Sequence, residues 1–150
     1  MVTVYDVPPN KLIESVSEEL KEMEEIQEPE WAMFVKTGVH KEKAPEQPDW
    51  WYKRVSAIFR SVYVEGPIGI SRLKGKYGGK YRRGSKPNHV EKGSGSIIRK
   101  GLQQLESSGM IEKEDDGRKI TPEGQSFLND KAHEIIEEMA KENPELSKYL

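Results

Sequence analysis

Leu12, Val16, Leu20 and Met23 recur at helical spacing, with Ile13 alongside and Glu and Lys opposite, and predict a first helix with one buried stripe. Its entry is Asp6 to Asn10, where Pro8 and Pro9 fall in a first turn whose amides lack intrahelical partners anyway, and Pro29 ends it. Trp31 to Val35 forms a short apolar segment. The polar run Lys36 to Pro48, broken by Pro45 and Pro48, is an irregular loop. Asp49 then stands as the N-cap of a second helix whose apolar face is Trp51, Val55, Ile58, Phe59 and Val62. Adjacent helical positions diverge by about 100°, so Trp50 and Trp51 are not expected to share one core. One of them should close the core at its margin or stack on something outside.

Beyond Val64 the pattern tightens. Glu65 to Gly69 is a turn, Ile70 to Tyr77 a short helix ended by Gly78 and Gly79, and Lys80 to Gly95 a basic, glycine-rich loop. Ser94 or Ser96 caps the next strong helix, which turns Ile98, Leu102 and Leu105 inward and Arg99, Lys100, Gln103 and Ser107 outward. Gly109 ends that helix. Met110 to Glu114 and Arg118 to Thr121 read as two short strands joined by a tight turn at Asp115-Asp-Gly117. Thr121-Pro122-Glu123 opens a last helix that carries Phe127, Leu128, Ala132, Ile135, Ile136 and Met139 to about Asn143. The order of short helix, connection, helix, two-stranded hairpin and helix defines a mostly α fold: a winged helix-turn-helix core with a small β-hairpin wing and extra N-terminal helices. The chain has 150 residues and no internal repeat, which predicts a single domain over 1–150.

Composition narrows the chemistry. The absence of cysteine excludes disulfides, thiolate metal sites and cysteine nucleophiles. No apolar run approaches a membrane span and Met1 to Asn10 is no signal peptide, so a soluble, intracellular protein is expected. His40, His89 and His133 are scattered, and His40 followed by Glu42 lacks the spacing of a zinc protease. No phosphate-loop pattern is present either. We therefore expect no enzyme, cofactor, metal, membrane or small-molecule substrate.

Charge changes the picture most. Arg72 to Lys100 holds ten Lys or Arg against Glu91, a formal +9 in a chain whose net charge is −2. A near-neutral total thus conceals strong segregation, and a concentrated cationic surface attracts polyanions. DNA-reading helix-turn-helix proteins join their two helices with about three or four residues. Here residues 78 to 95 intervene at the amino end of the recognition helix, an obstacle to simple major-groove docking. A flexible loop carrying Lys80, Arg82, Arg83 and Lys86 can instead mould to RNA phosphates, while Tyr77, Tyr81 and His89 stack on bases. Arg72, Lys74 and Lys76 flank it on one side, and Arg99 and Lys100 on the other. Amides near Ser94, Gly95 and Ser96 add an anion site at the helix start. Alternatives stay open for single residues: Tyr77 serves equally as a core plug, Glu91 as a partner of a loop cation, and Lys53, Arg54 and Arg60 as solvated charges. A DNA-binding transcriptional regulator and a protein-interaction module are the rival readings of the bare fold.

The chain resembles the S-nineteen-e family, small-subunit ribosomal proteins of archaea and eukaryotes. The resemblance rests on Pro29-Glu-Trp31, Val35-Lys-Thr-Gly38, Lys41-Glu-Lys-Ala-Pro45, Asp49-Trp50 with Tyr52-Lys-Arg54, and Arg60. It continues through Tyr77-Gly-Gly79, Arg83-Gly84, Pro87-Asn-His89, Gly93-Ser94, Leu102-Gln-Gln-Leu-Glu106 and Gly117-Arg-Lys-Ile-Thr-Pro122. It implies a non-catalytic, ribosome-associated cytoplasmic protein seated in the head of the small subunit and needed for its maturation. The implied partners are small-subunit ribosomal RNA, its precursor and neighbouring ribosomal proteins. The implied RNA-facing residues are Trp50, Arg54, Arg60, Tyr77, Arg82, Arg83, His89, Arg99 and Lys100, with Lys53 on the same helix face. The acidic faces of the first and last helices should then point away from RNA.

Overall fold

Trp51, Val55, Ile58, Phe59 and Val62 are all fully buried, and the helix that carries them, α2 (Trp50–Glu65), is the axis of the core. The structure, a computed structural model, describes residues 2–150. Before α2 comes α1 (Pro9–Lys21), and after it α3 (Ile70–Lys76), β1 (Gly79–Arg83) and β2 (Lys86–Glu91). The chain continues through α4 (Gly95–Ser107), β3 (Ile111–Glu114), β4 (Gly117–Ile120) and α5 (Pro122–Glu142). Helix α2 packs against α1, α4 and β4, while α5 closes over α1. Each large apolar side chain so enclosed contributes about 1.5–3 kcal/mol. Among the described residues no helix is long and apolar enough to cross a membrane.

The wing forms as the sequence predicts. Strands β3 and β4 pair antiparallel, with Ile111 opposite Ile120 and Glu114 opposite Gly117. A third, one-residue strand joins them: the Ile68 amide donates to the Arg118 carbonyl at 3.0 Å, and the Arg118 amide donates back at 2.9 Å. Arg118 Nε also donates to Glu106 Oε1 at 2.7 Å, tying the wing to α4. Gly109 leaves α4 at φ 82°, a left-handed exit, and the Thr121 hydroxyl accepts from the Gly124 amide at the start of α5. The architecture is a mostly α winged helix-turn-helix with added N-terminal helices.

Five expectations require correction. Helix α1 ends at Lys21 rather than running to Pro29. Acidic residues at 22, 24 and 25 oppose the negative carboxyl end of the helix dipole, and the chain turns there to bury Ile26. The segment 31–35 is a 3-10 turn (Glu30–Met33) that buries only Ala32 and leaves Met33 and Phe34 exposed. Both tryptophans face inward: the Trp50 and Trp51 rings meet edge to face, centroids 5.7 Å apart, so neighbouring positions share one aromatic cluster. Asp49 is the N-cap of α2 as expected, but its carboxylate accepts no helix amide. It takes Lys21 Nζ at 3.2 Å instead, which holds its carboxyl below the usual range.

The last change is the largest. The loop 80–95 is mostly an antiparallel hairpin, β1–β2, with Gly79 opposite Glu91, Lys80 opposite Val90 and Tyr81 opposite His89. Gly84 turns it at φ 69°, and Arg83 clasps the turn, donating from Nε and Nη2 to the Pro87 carbonyl at 2.9 and 2.6 Å. At its base the Gly93 amide donates to the Lys74 carbonyl at 2.9 Å, and the Ser94 amide donates to the Thr37 carbonyl at 2.9 Å. Gly38 and Gly93 form a bridge beside these bonds. The 36–48 loop is thereby fastened across the root of the ribbon.

Candidate nucleic-acid interface

Several cations outside the basic stretch are neutralised: Lys21 by Glu18 and Asp49, Lys131 by Glu19 and Glu134, Arg118 by Glu106, and Lys119 by Glu114. Within the stretch, Lys80, Arg82, Lys86, Arg99 and Lys100 have no carboxylate partner among the described residues, and all are exposed. Unpaired surface ammonium and guanidinium groups keep their full field for an external anion. These free charges lie on the β1–β2 ribbon and on α4.

The ribbon brings two of the predicted stacking residues together. Tyr81 and His89 are cross-strand partners with ring centroids 5.9 Å apart, a preformed aromatic pair on an otherwise charged surface. His89 Nε2 also contacts Glu91 Oε1, so Glu91 is paired with a histidine rather than with a loop Lys or Arg. Tyr77 has a different position. Its ring carries the Arg54 guanidinium 4.4 Å above the centroid, and its hydroxyl lies 3.3 Å from Ser61 Oγ, which leaves it as a link between α2 and the ribbon.

Other predicted residues are placed less freely. Burial pulls the Arg54 guanidinium below its ordinary value, although arginine remains charged at neutral pH. Arg60 has a buried Nε without a hydrogen-bond partner among the described residues. Lys76 and Arg72 turn toward Glu65, at 2.8 and 3.9 Å, and Lys53 lies 3.8 Å from Asp49. The stem of Lys74 runs beside Gly95. Trp50 is 8% exposed, so only an edge reaches the surface, where it borders a cleft with Lys53, Arg54 and Tyr77. Ser94 is the true cap of α4: its hydroxyl accepts from the Ile97 amide at 3.5 Å and its own amide is held by Thr37.

Sequence reasoning passed over the 36–43 segment. Lys36, His40 and Lys41 line a groove of about 890 Å³ with Lys80, Tyr81 and Arg82 of the ribbon. The His40 ring wedges between Gly38 and Gly79, since a Cβ at Gly38 would lie 2.6 Å from it and one at Gly79 would lie 3.0 Å away. Burial, reinforced by Lys41 and Arg54 and opposed by Glu91, lowers the imidazole from its ordinary value and keeps it neutral at pH 7. Its Nδ1 is buried without a hydrogen-bond partner among the described residues. Three lysines within eight residues, beside two glycines of the ribbon root, are the signal that was available.

The chain is thus a winged helix-turn-helix protein with a cationic ribbon inserted before α4. Over residues 3–138 the sequence matches the model of the family Ribosomal protein S19e. The chain belongs to that family. It is 45% identical over 154 residues to Small ribosomal subunit protein eS19 of Haloarcula marismortui, covering 99% of each chain. The protein of the same name from Thermoplasma volcanium is 46% identical over 150 residues, covering 100% of each. Small ribosomal subunit protein eS19A of Schizosaccharomyces pombe is 44% identical over 138 residues, 91% of this chain and 96% of its own.

Proposed function

We propose that the protein is a structural constituent of the small ribosomal subunit that binds ribosomal RNA and its precursor and supports subunit assembly. The carrying observation is the gathering of unpaired cations on one connected set of elements: the β1–β2 ribbon, the outer face of α4 and the 36–43 segment packed at the ribbon root. Phosphate contacts supply affinity, and the Tyr81–His89 pair supplies shape and stacking selectivity. The acidic surfaces of α1 and α5 leave room for neighbouring proteins of the subunit. Ribosome association in the cytoplasm follows from this role, and no catalytic step is assigned.

A DNA-reading role is disfavoured by the ribbon, which stands where the amino end of α4 would have to enter a major groove. The deciding experiment is sedimentation of an extract at low and high magnesium, for the natural chain and for Arg99→Glu. The natural chain should travel with the small subunit through a moderate salt wash, and the variant should be depleted from it. Equal occupancy by both would remove α4 from the contact surface; recovery of the natural chain only in light fractions would end the ribosomal reading.

A further inference from the structure

Between the 3-10 turn Glu30–Met33 and the amino-terminal half of α4 lies a second cleft, of about 510 Å³. That volume is within the ~300–1,000 Å³ of small-molecule sites. Its apolar side is Trp31, Val35 and Ile97, and its polar side is Lys36, Arg99, Lys100 and Gln103. No carboxylate lines it, in contrast to the cleft between α1 and α5, where Glu14, Glu18, Asp49, Glu134, Glu138 and Glu142 converge. Lys36, Arg99 and Lys100 form no ion pair with any described residue.

Trp31 is held in position. Its ring stands at 88° to that of Trp51, centroids 5.8 Å apart, and Trp51 is itself anchored by its hydrogen bond to Gln104. Although tied on one edge, Trp31 remains 36% exposed. A fixed, partly bare indole wall with a side-chain amide and three unneutralised cations around it meets three separate needs of one unstacked nucleotide. The indole offers a stacking surface, Gln103 offers both a donor and an acceptor to a base edge, and the cations answer the flanking phosphates. A protein partner would use the indole but leave the cations without purpose unless it were acidic.

We infer that this cleft takes a single extruded nucleotide of single-stranded RNA, its base against Trp31, its polar edge at Gln103 and its phosphates toward Lys36, Arg99 and Lys100. The inference rests on the RNA-binding reading and names one subsite within it. Duplex RNA has no free base for this cleft and engages the surrounding cations without entering it.

The test uses the full chain with two probes, an adenine hexaribonucleotide and an RNA duplex of similar length. Binding of the hexanucleotide should shift the Trp31 indole N–H and the Gln103 side-chain amide in nuclear magnetic resonance spectra, whereas the duplex should shift ribbon signals and leave these two unmoved. Trp31→Leu should weaken the hexanucleotide about tenfold more than the duplex, and Trp31→Phe should recover most of that difference. The inference is overturned if the hexanucleotide moves ribbon signals while Trp31 and Gln103 stay still, a result that spares the RNA-binding reading. It is equally overturned if residue 31 cross-links to a protein and not to RNA in assembled subunits. If the natural chain binds neither probe and no subunit RNA, the broader reading fails and the subsite falls with it. The spectra of the natural chain decide the matter even where Trp31→Leu does not fold.

Discussion

The guanidinium of Arg54 lies 4.4 Å above the Tyr77 ring and joins the central helix to the root of the basic ribbon. Such a desolvated cation–π contact is worth roughly 0.5–2 kcal/mol. Arg54 and Arg99 look equivalent as basic residues in sequence, yet one is an internal tie and the other a free surface charge. Arg54→Glu should lower stability by about 2 kcal/mol or more, because a carboxylate would be buried over the electron-rich ring face. Arg99→Glu should stay within about 0.5 kcal/mol in urea denaturation. It should nonetheless weaken RNA binding and reduce the slope of log affinity against log salt by about 1.

At the wing, Gly117 adopts φ 129°, and a Cβ there would stand 2.6 Å from the Ile68 carbonyl carbon. Gly117→Ala thus meets both backbone strain and a clash with the third strand of the wing. We expect a loss of about 2 kcal/mol or more and faster hydrogen exchange at the Ile68 and Arg118 amides, which hold that strand. Unchanged protection at these two amides would contradict the role assigned to Gly117.

Much of this fold was readable from residue order because its signals were local and apolar. The stripe Ile98, Leu102, Leu105 and the sequence Thr121-Pro122 each impose their own geometry, and α4 and α5 begin where those signals place them. The β1–β2 ribbon was hidden because it has no buried face: from Arg82 to Val90 every residue is exposed, so no alternation of apolar and polar positions marks its strands. The tryptophan pair was misjudged for a related reason. Helical geometry separates Trp50 from Trp51, but rings of that size reach back to an edge-to-face contact that spacing does not encode. For the interface, the cations were legible as a run of charge. Which of them are free depended on the carboxylates that the fold brings near, as Glu65 is brought to Lys76.

The hydrogen-bonded chain from Trp51 through Gln104 to the Gln27 carbonyl, with lengths of 3.0 and 2.8 Å, crosses the core between α2, α4 and the segment after α1. Gln104→Leu would keep the volume but leave an indole N–H and a carbonyl unmatched. The expected cost is about 1–3 kcal/mol in denaturant unfolding. A neutral result would show that water or another side chain replaces the amide.

His40 should make stability pH-dependent. Its imidazole protonates below the ordinary 6.5 in the folded chain, so in the window beneath that value the unfolded state binds more protons. Stability should therefore be complete above it and decline as the pH falls through it. His40→Gln should remove that decline, which appears as a smaller drop in Tm between about pH 7.5 and 5.5. Parallel profiles for the two chains would place the pH dependence elsewhere.

The ribbon also bears on how the protein survives before it meets a partner. A two-stranded sheet with both outer edges open is a template for pairing with a second copy, the first step toward aggregates. Lys80, Arg82, Arg83 and Lys86 give the ribbon a high positive charge, so two ribbons approaching each other repel. The same charges that call for a polyanion act as a guard against self-association, and the guard is lifted only when a polyanion neutralises them. Replacing them with neutral residues would remove that guard and expose a sticky edge in one stroke.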